Sequence, residues 1–336
     1  MATPPLPDPV LPNQARALWI TGVGQAELRA EPIARPSAHE VLVQTLYSGV
    51  SRGTERLVYG GRVPESERVR MRAPFQLGEF PFPVKYGYAN VGRVIAGSEA
   101  LCGQHVFCLY PHQEAYVVTT ASVHRLPSAL PPARAVLAAN METALNGVWD
   151  SELCAGDRVC VVGAGVVGCL VAYLAAQHPG CEVALVDSDE RKRAVASALG
   201  VTFAAPSALP TGCDVVFHAS GAPSGLRSAL EAAGHEARIV ELSWYGDAEV
   251  TLPLGAAFHA QRLTLRSSQV GRLPSAQLPR WDTRRRMALA LALLCDPRLD
   301  ALISGESPFE QAPAVLSALA RPEHFELCHR LRYEAR

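Results

Sequence analysis

The run Arg158-Val159-Cys160-Val161-Val162-Gly163-Ala164-Gly165-Val166-Val167-Gly168, which continues through Cys169 to Ala176 and returns as Val183-Ala184-Leu185-Val186-Asp187, decides how the chain is read. Its opening apolar residues are β-prone and end in glycine, so they form a buried strand entering a tight turn. Gly163, Gly165 and Gly168 fit G-x-G-x-x-G: the first permits the turn, the second lets backbone approach a pyrophosphate, and the third lets helix pack on strand. The helix that opens at Val166 and Val167 aims its positive end at the same pyrophosphate. Asp187 closes the second apolar run about 20 residues beyond the glycines, where a carboxylate accepts from ribose hydroxyls. Strand, glycines, helix and acid stand in the order a βαβ unit requires, and together they spell a dinucleotide site. The competing reading of Val159 to Ala176, an uncharged transmembrane helix, is weakened by its glycines and strand-like start.

Working outward, the 336 residues exceed one ordinary core and are ample for two domains. A net charge of −1 gives no electrostatic case for nucleic acid or an anionic membrane. The nine cysteines form no C-x-x-C pair and several fall inside apolar strands or helices, so they read as small core residues in a reducing compartment. Met1 to Asn13 is proline-rich and lacks the basic start and apolar stretch of a secretory signal, which points to the cytoplasm.

Before the fingerprint the chain is β-rich. Gln14 to Trp19, Ala26 to Ala30 and Glu40 to Ser48 read as strands, followed by a glycine-punctuated loop with a helical piece at Glu55 to Tyr59. Arg62 to Phe82 has no clear period and reads as a long surface loop. Short strands at Ala89 to Gly97, His105 to Leu109, Ala115 to Thr119 and Ser122 to Leu126 have the spacing of a small barrel. From Pro132 the pattern turns helical, and strands then alternate with helices as far as Leu263 to Ser268, with a helix expected at Gly255 to Gln261. That alternation predicts a parallel, doubly wound sheet. Two further helices and a last strand near Cys328 to Tyr333 complete the chain.

Ser48-Gly49-Val50-Ser51, Lys85-Tyr86-Gly87-Tyr88-Ala89-Asn90-Val91-Gly92, the glycine fingerprint and Pro308-Phe309-Glu310 resemble the medium-chain dehydrogenase/reductase superfamily over nearly the whole length. Ser51-Arg52-Gly53-Thr54-Glu55 and Gly87-Tyr88 look most like its branch containing bacteriochlorophyllide a dehydrogenase. The resemblance implies an α/β fold with a GroES-like β-barrel catalytic domain and a Rossmann domain. Residues 1–131 would form the first part of the catalytic domain, 132–268 the Rossmann domain and 269–336 a return to the catalytic domain.

Zinc-dependent members of the family hold their metal at positions that here read Ser51, Tyr88 and Glu142. Neutral serine and phenol are poor zinc ligands beside thiolate and imidazole, and the run of cysteines that holds a structural zinc is missing from the sequence, so no zinc is expected. Another group must then manage the charge and proton of a developing alkoxide. Tyr88 is the first candidate, with Lys85 three residues away as a cation that would favour phenolate; a packing role for Tyr88 and a solvated one for Lys85 compete. Glu55 and Glu142 match positions close to the reactive centre and could relay a proton or bind substrate, against a plain salt bridge or cap. Ser51 could contact substrate or only shape a turn. His112 with Glu114 reads as a surface loop, and Arg284-Arg285-Arg286 as a solvated cap.

For the cofactor, Asp187 favours NAD over NADP, with Arg191 and Arg193 nearby arguing the other way. Lys192 matches the family position that reaches the adenine ribose, and Ser220, Gly221, Ser243 and Ser268 match further cofactor contacts. The leading reading is a zinc-independent NAD(P)-dependent oxidoreductase moving hydride between nicotinamide and a carbinol or carbonyl. A quinone or enone C=C reductase and a non-catalytic dinucleotide-binding sensor are the alternatives. The expected partners are a small molecule with a partly apolar body and, by resemblance, a second copy of the chain.

Overall fold

The computed structural model describes residues 11–321 and 323–334. Most of the proline-rich start read for a targeting signal, residues 1–10, lies outside them. The first half is built from β1 (Gln14–Gly22), β2 (Gln25–Pro32), β3 (Glu40–Val50), α1 (Arg52–Tyr59), β4 (Leu77–Gly78), β5 (Val84–Lys85), β6 (Asn90–Gly97), β7 (His105–Cys108), β8 (Ala115–Thr119) and β9 (Val123–Arg125). β3 is the longest strand, and bulges between Leu42 and Val43 and between Thr45 and Tyr47 let it bend while pairing with β6. That bend allows β3 to pair with β8 as well, which wraps the antiparallel strands around a core of Val41, Val43, Val94, Val106, Tyr116 and Val118. The segment expected as a plain surface loop, 62–82, instead buries Val63, Gln76 and Phe80 and carries β4.

Two helices, α2 (Pro132–Ala135) and α3 (Ala138–Ser151), lead into the alternating part: β10 (Arg158–Val162), α4 (Val166–Ala175), β11 (Glu182–Val186), α5 (Arg193–Ala198), β12 (Thr202–Ala204), β13 (Cys213–His218), α6 (Pro223–Ala232), β14 (Ala233–Glu241) and β15 (Thr264–Ser267). The six strands pair in the order β12-β11-β10-β13-β14-β15, all parallel. Val159, Val161, Leu185, Val215 and Phe217 are buried because helices cover the sheet, which is why these strands read as unbroken apolar runs. The helix expected at Gly255 to Gln261 is present as a short π-helix at Leu254–Phe258 that continues through 259–260 and is kinked at Ala256.

The chain then returns through α7 (Thr283–Leu293), β16 (Ile303–Pro308), α8 (Ala312–Leu319) and β17 (Cys328–Arg332), and β17 pairs antiparallel with β3. Register decides what this brings together: Ser48 of β3 lies opposite both Asn90 of β6 and Leu331 of β17. Ser51 just after β3 and Tyr88 just before β6 therefore gather at one end of the sheet, while Tyr333, just after the antiparallel β17, lies farther back beside Leu46. The fold is a GroES-like barrel joined to a Rossmann sheet. No helix among the described residues is long and apolar enough to cross a membrane.

Candidate active site

In an open parallel sheet the ligand crevice lies beyond the carboxyl ends of the strands, where strand order reverses. Here that point is between β10 and β13, and the fingerprint residues sit at it. Gly163 adopts φ 108°, a conformation open to glycine, and a Cβ on Gly168 would lie 1.8 Å from the Gly163 carbonyl oxygen. Gly165 is the reverse case, since a Cβ there would meet nothing within 4 Å. It precedes α4, whose first turn at Val166 and Val167 has backbone N–H groups without helical partners, so an open cradle with a positive rim faces the crevice. These residues fit a dinucleotide pyrophosphate.

Asp187 directly follows β11, its carboxylate accepting from the Ala164 N–H at 2.7 Å and pairing with Lys192 Nζ at 2.7 Å. Arg191 pairs with Asp189 and lies over the Phe325 ring, and Arg193 pairs with Glu190. Ser243 Oγ accepts from the Gly221 N–H at 3.0 Å, and Ser268 Oγ donates to Asp150 at 2.7 Å, so both serines are fixed at strand ends. Ser220 Oγ lies 2.6 Å from His218 Nε2, and His218 Nδ1 lies 2.9 Å from Glu241. His218 and Glu241 escaped the sequence reading, although they are the facing last residues of two adjacent strands.

At the barrel end, α1 starts directly after Ser51, and its first turn places Glu55 under that residue. Glu55 Oε1 accepts from the Ser51 backbone N–H at 2.7 Å. Burial, followed by the charge of Glu55, pushes the Tyr88 pKa up to about 12, with the Ser51 and Thr54 hydroxyls acting in the opposite direction. The expectation of a phenol tuned toward phenolate is thus corrected: Tyr88 is held as a neutral hydroxyl.

Lys85 is not its tuner. The Lys85 ammonium turns away into a buried pair with Glu31 at 2.6 Å and a hydrogen bond to Gln113 at 2.8 Å. Burial lowers its pKa while Glu31 raises it. Glu142 is also relocated. It pairs with Arg286 at 3.0 Å in the interior, and the α3 residue that reaches Ser51 is Asn140, at 3.4 Å. Burial raises the Glu142 pKa, and Arg286 opposes the rise.

Arg286 in turn is no solvated cap residue. Its side chain is 2% exposed and also binds Asn146 and the Val270 carbonyl, the latter at 2.7 Å. It faces inward because it follows the Asp282 cap of α7 by one turn, on the side packed against α3. His112, read as a loop residue, is likewise buried, with Nε2 3.0 Å from Glu55 and Nδ1 2.7 Å from Ser48 Oγ. The ring packs so closely on Gly87 (φ 120°) that a Cβ there would meet it at 2.8 Å.

The zinc that related enzymes carry is tested by this donor set. Two neutral hydroxyls, Ser51 and Tyr88, and the Asn140 amide do not match the thiolate, imidazole and carboxylate that zinc takes, so the residues do not fit the metal.

A glycine cradle at a switch point, with an acid just after the next strand, defines a dinucleotide-binding Rossmann fold. Residues 166–284 match the family model described as zinc-binding dehydrogenase. The chain is 29% identical over 147 residues to a 2-dehydro-3-deoxy-L-galactonate 5-dehydrogenase of Pseudoalteromonas atlantica, covering 40% of this chain and 43% of that relative. It is 28% identical to the 2-desacetyl-2-hydroxyethyl bacteriochlorophyllide A dehydrogenase of Rhodobacter capsulatus, over 66% of this chain and 70% of the relative. A zinc-binding dehydrogenase from Sinorhizobium meliloti bound to NADP superposes with a TM-score of 0.75 at 20% identity, covering 96% of this chain and all of that one, which shows a shared fold. Residues 166–284 thus match the zinc-binding dehydrogenase family, and the chain as a whole is similar to NAD(P)-dependent dehydrogenases of the medium-chain type.

Proposed function

We propose that this nicotinamide-dependent oxidoreductase works without zinc and exchanges hydride with a carbinol or carbonyl carbon, with Tyr88 handling the proton. The observation that carries the reading is the Tyr88 hydroxyl, set near Ser51, Thr54 and Glu55 at the end of the barrel sheet. When bound, the dinucleotide supplies the hydride donor or acceptor. Gly163 and Gly165 shape the turn that admits it, the first N–H groups of α4 take the pyrophosphate, and Asp187 with Lys192 takes the adenine ribose. Ser220, Gly221, Ser243 and Ser268 line the remaining length. Because Arg191 and Arg193 are engaged with acids of their own, Asp187 is left to meet a 2′-hydroxyl, which favours NAD.

With its pKa at about 12, Tyr88 is protonated at neutral pH and serves as the acid in the reducing direction. Its Oη gives a proton to the carbonyl oxygen as negative charge develops there, and Asn140 and Ser51 orient that oxygen. Oxidation runs the same transfer in reverse. A cytoplasmic homodimer joined through the open β15 edge completes the proposal.

The test is nicotinamide absorbance with a panel of secondary alcohols and ketones under NADH and NADPH. Tyr88→Phe should lower turnover about 10²- to 10⁴-fold with NADH affinity nearly unchanged, and chelator should leave wild-type activity intact. Stoichiometric zinc in the active protein, or full activity in Tyr88→Phe, would overturn the reading.

A further inference from the structure

Ser220, His218 and Glu241 stand in a row at the carboxyl ends of β13 and β14. Ser220 Oγ lies 2.6 Å from His218 Nε2, and His218 Nδ1 lies 2.9 Å from both carboxylate oxygens of Glu241. The imidazole is fully buried, whereas Ser220 is exposed. The Ser220 backbone packs against the first fingerprint glycine, since a Cβ on Gly163 would lie 2.5 Å from the Ser220 nitrogen. Ser220 therefore stands beside the turn that admits the dinucleotide.

These bonds fix where the hydrogens sit. Glu241 receives the Ser243 backbone N–H at 2.7 Å and the Tyr245 hydroxyl at 3.0 Å, and a carboxylate only accepts, so the His218 nitrogen facing it carries a hydrogen. In the neutral ring that places the hydrogen on Nδ1 and leaves Nε2 a bare acceptor. Ser220 then gives its only hydrogen inward to Nε2. Its oxygen takes the Ala222 N–H at 3.2 Å with one lone pair and keeps the other for a ligand, which it meets as an acceptor alone.

In an acyl-transfer enzyme such a trio would be a nucleophile, its base and the acid that orients the base. Here the neighbouring backbone N–H groups that would hold an oxyanion are committed, Gly221 to Ser243 Oγ and Ala222 to Ser220 itself. The arrangement serves recognition instead. β13 and β14 lie across the switch point from β11, which Asp187 follows, so they carry the nicotinamide half of a dinucleotide.

Resting on the reading of this crevice as a dinucleotide site, we propose that Glu241 and His218 are positioning residues that hold Ser220 as an acceptor for a hydroxyl of the nicotinamide-side ribose. That hydroxyl has a hydrogen to give, and the outward lone pair of Ser220 takes it. α6 makes room for the arrangement, because a Cβ on Gly225 would collide with Ser220 Oγ and lie 2.7 Å from His218 Nε2. A buried imidazole and carboxylate are costly unless their polar atoms are paired, and here both ring nitrogens and both carboxylate oxygens have partners.

Two measurements test this. Long-range nitrogen–proton NMR of histidine-labelled protein without cofactor, at about pH 8, reads the tautomer of His218, with His218→Gln identifying its resonance. Hydrogen on Nδ1 and a bare Nε2 are expected; hydrogen on Nε2 would turn Ser220 into a donor and overturn the proposal. The second is calorimetric titration with NADH, with NADH analogues lacking the 2′- or 3′-hydroxyl on the nicotinamide-side ribose, and with ADP. The wild type should bind one analogue about 3- to 10-fold more weakly than NADH, the range one hydrogen bond contributes. Ser220→Ala and His218→Leu should lose that preference with ADP affinity unchanged. His218→Gln should keep it, because the amide N–H must face Glu241 and so turns the carbonyl to Ser220, a rescue that mere filling of the interior would not give. Ser220→Ala, at an exposed position, decides the matter even where a buried variant folds poorly: a preference as large as that of the wild type would overturn the proposal. NADH binding without any preference in the wild type would overturn it and leave the dinucleotide reading standing, whereas absence of NADH binding would overturn both.

Discussion

Replacing Arg286 by methionine tests whether the buried pair between α3 and α7 organises the cofactor end of the site. The guanidinium binds Glu142 at 3.0 Å and the Val270 carbonyl at 2.7 Å, with Asn146 as a third partner, and the Glu142 side chain is 6% exposed. Arg286→Met therefore leaves an interior carboxylate without its counter-charge, a change that costs about 3–5 kcal/mol. The cost depends on pH in a definite direction. Burial already raises the Glu142 pKa above 4.5, and loss of Arg286 raises it further, so the carboxyl is neutral and harmless below its unfolded value. As pH rises through the folded value, the native state must either hold an extra proton or bury a charge, and stability is lost. The variant should be close to wild type near pH 4 and most destabilised above pH 7, read by urea unfolding at several pH values. A companion Arg286→Met/Glu142→Leu variant removes both charges and should recover to within about 1 kcal/mol of wild type. NADH affinity supplies an independent readout, since Val270 loses its anchor in both variants and both should bind more weakly. A defect under about 1 kcal/mol, a pH-independent defect, or a double variant as unstable as the single would refute the reasoning.

Gly165→Trp should fold normally, because its Cβ meets nothing within 4 Å, yet lose NADH binding by filling the cradle; unchanged affinity in fluorescence titration would remove the dinucleotide from this turn. Lys85→Met should cost about 2–3 kcal/mol, less than a fully buried pair because Glu31 keeps some solvent, and should leave the pH onset of Tyr88 ionisation untouched. A shifted onset in difference absorbance, taken against Tyr88→Phe, would restore Lys85 as the tuner of that phenol.

What the sequence determined by itself is the part whose physics is local. The strand, the glycine turn, the opening of α4 and the acid after β11 lie within about 30 consecutive residues, as a βαβ unit does, and their backbone requirements are written in residue type. Gly163 and Gly168 could be identified as obligatory from spacing alone, and their φ angle and close contact supply the reason. Ser51 and Tyr88 could be picked out because short motifs mark them, but their surroundings could not. Glu55 meets His112 across 57 positions, Glu142 meets Arg286 across 144, and Ser48 meets Tyr333 across 285. No periodicity in one stretch encodes such pairings. Tertiary structure decided them through strand register, which lays antiparallel β17 and β6 on either side of the second half of β3, and through the packing of α7 on α3. The same long-range burial turned His112 and Arg286 from apparent surface residues into interior ones and sent Lys85 away from Tyr88. A charged residue's environment is set by everything that covers it, and most of that cover comes from distant parts of the chain.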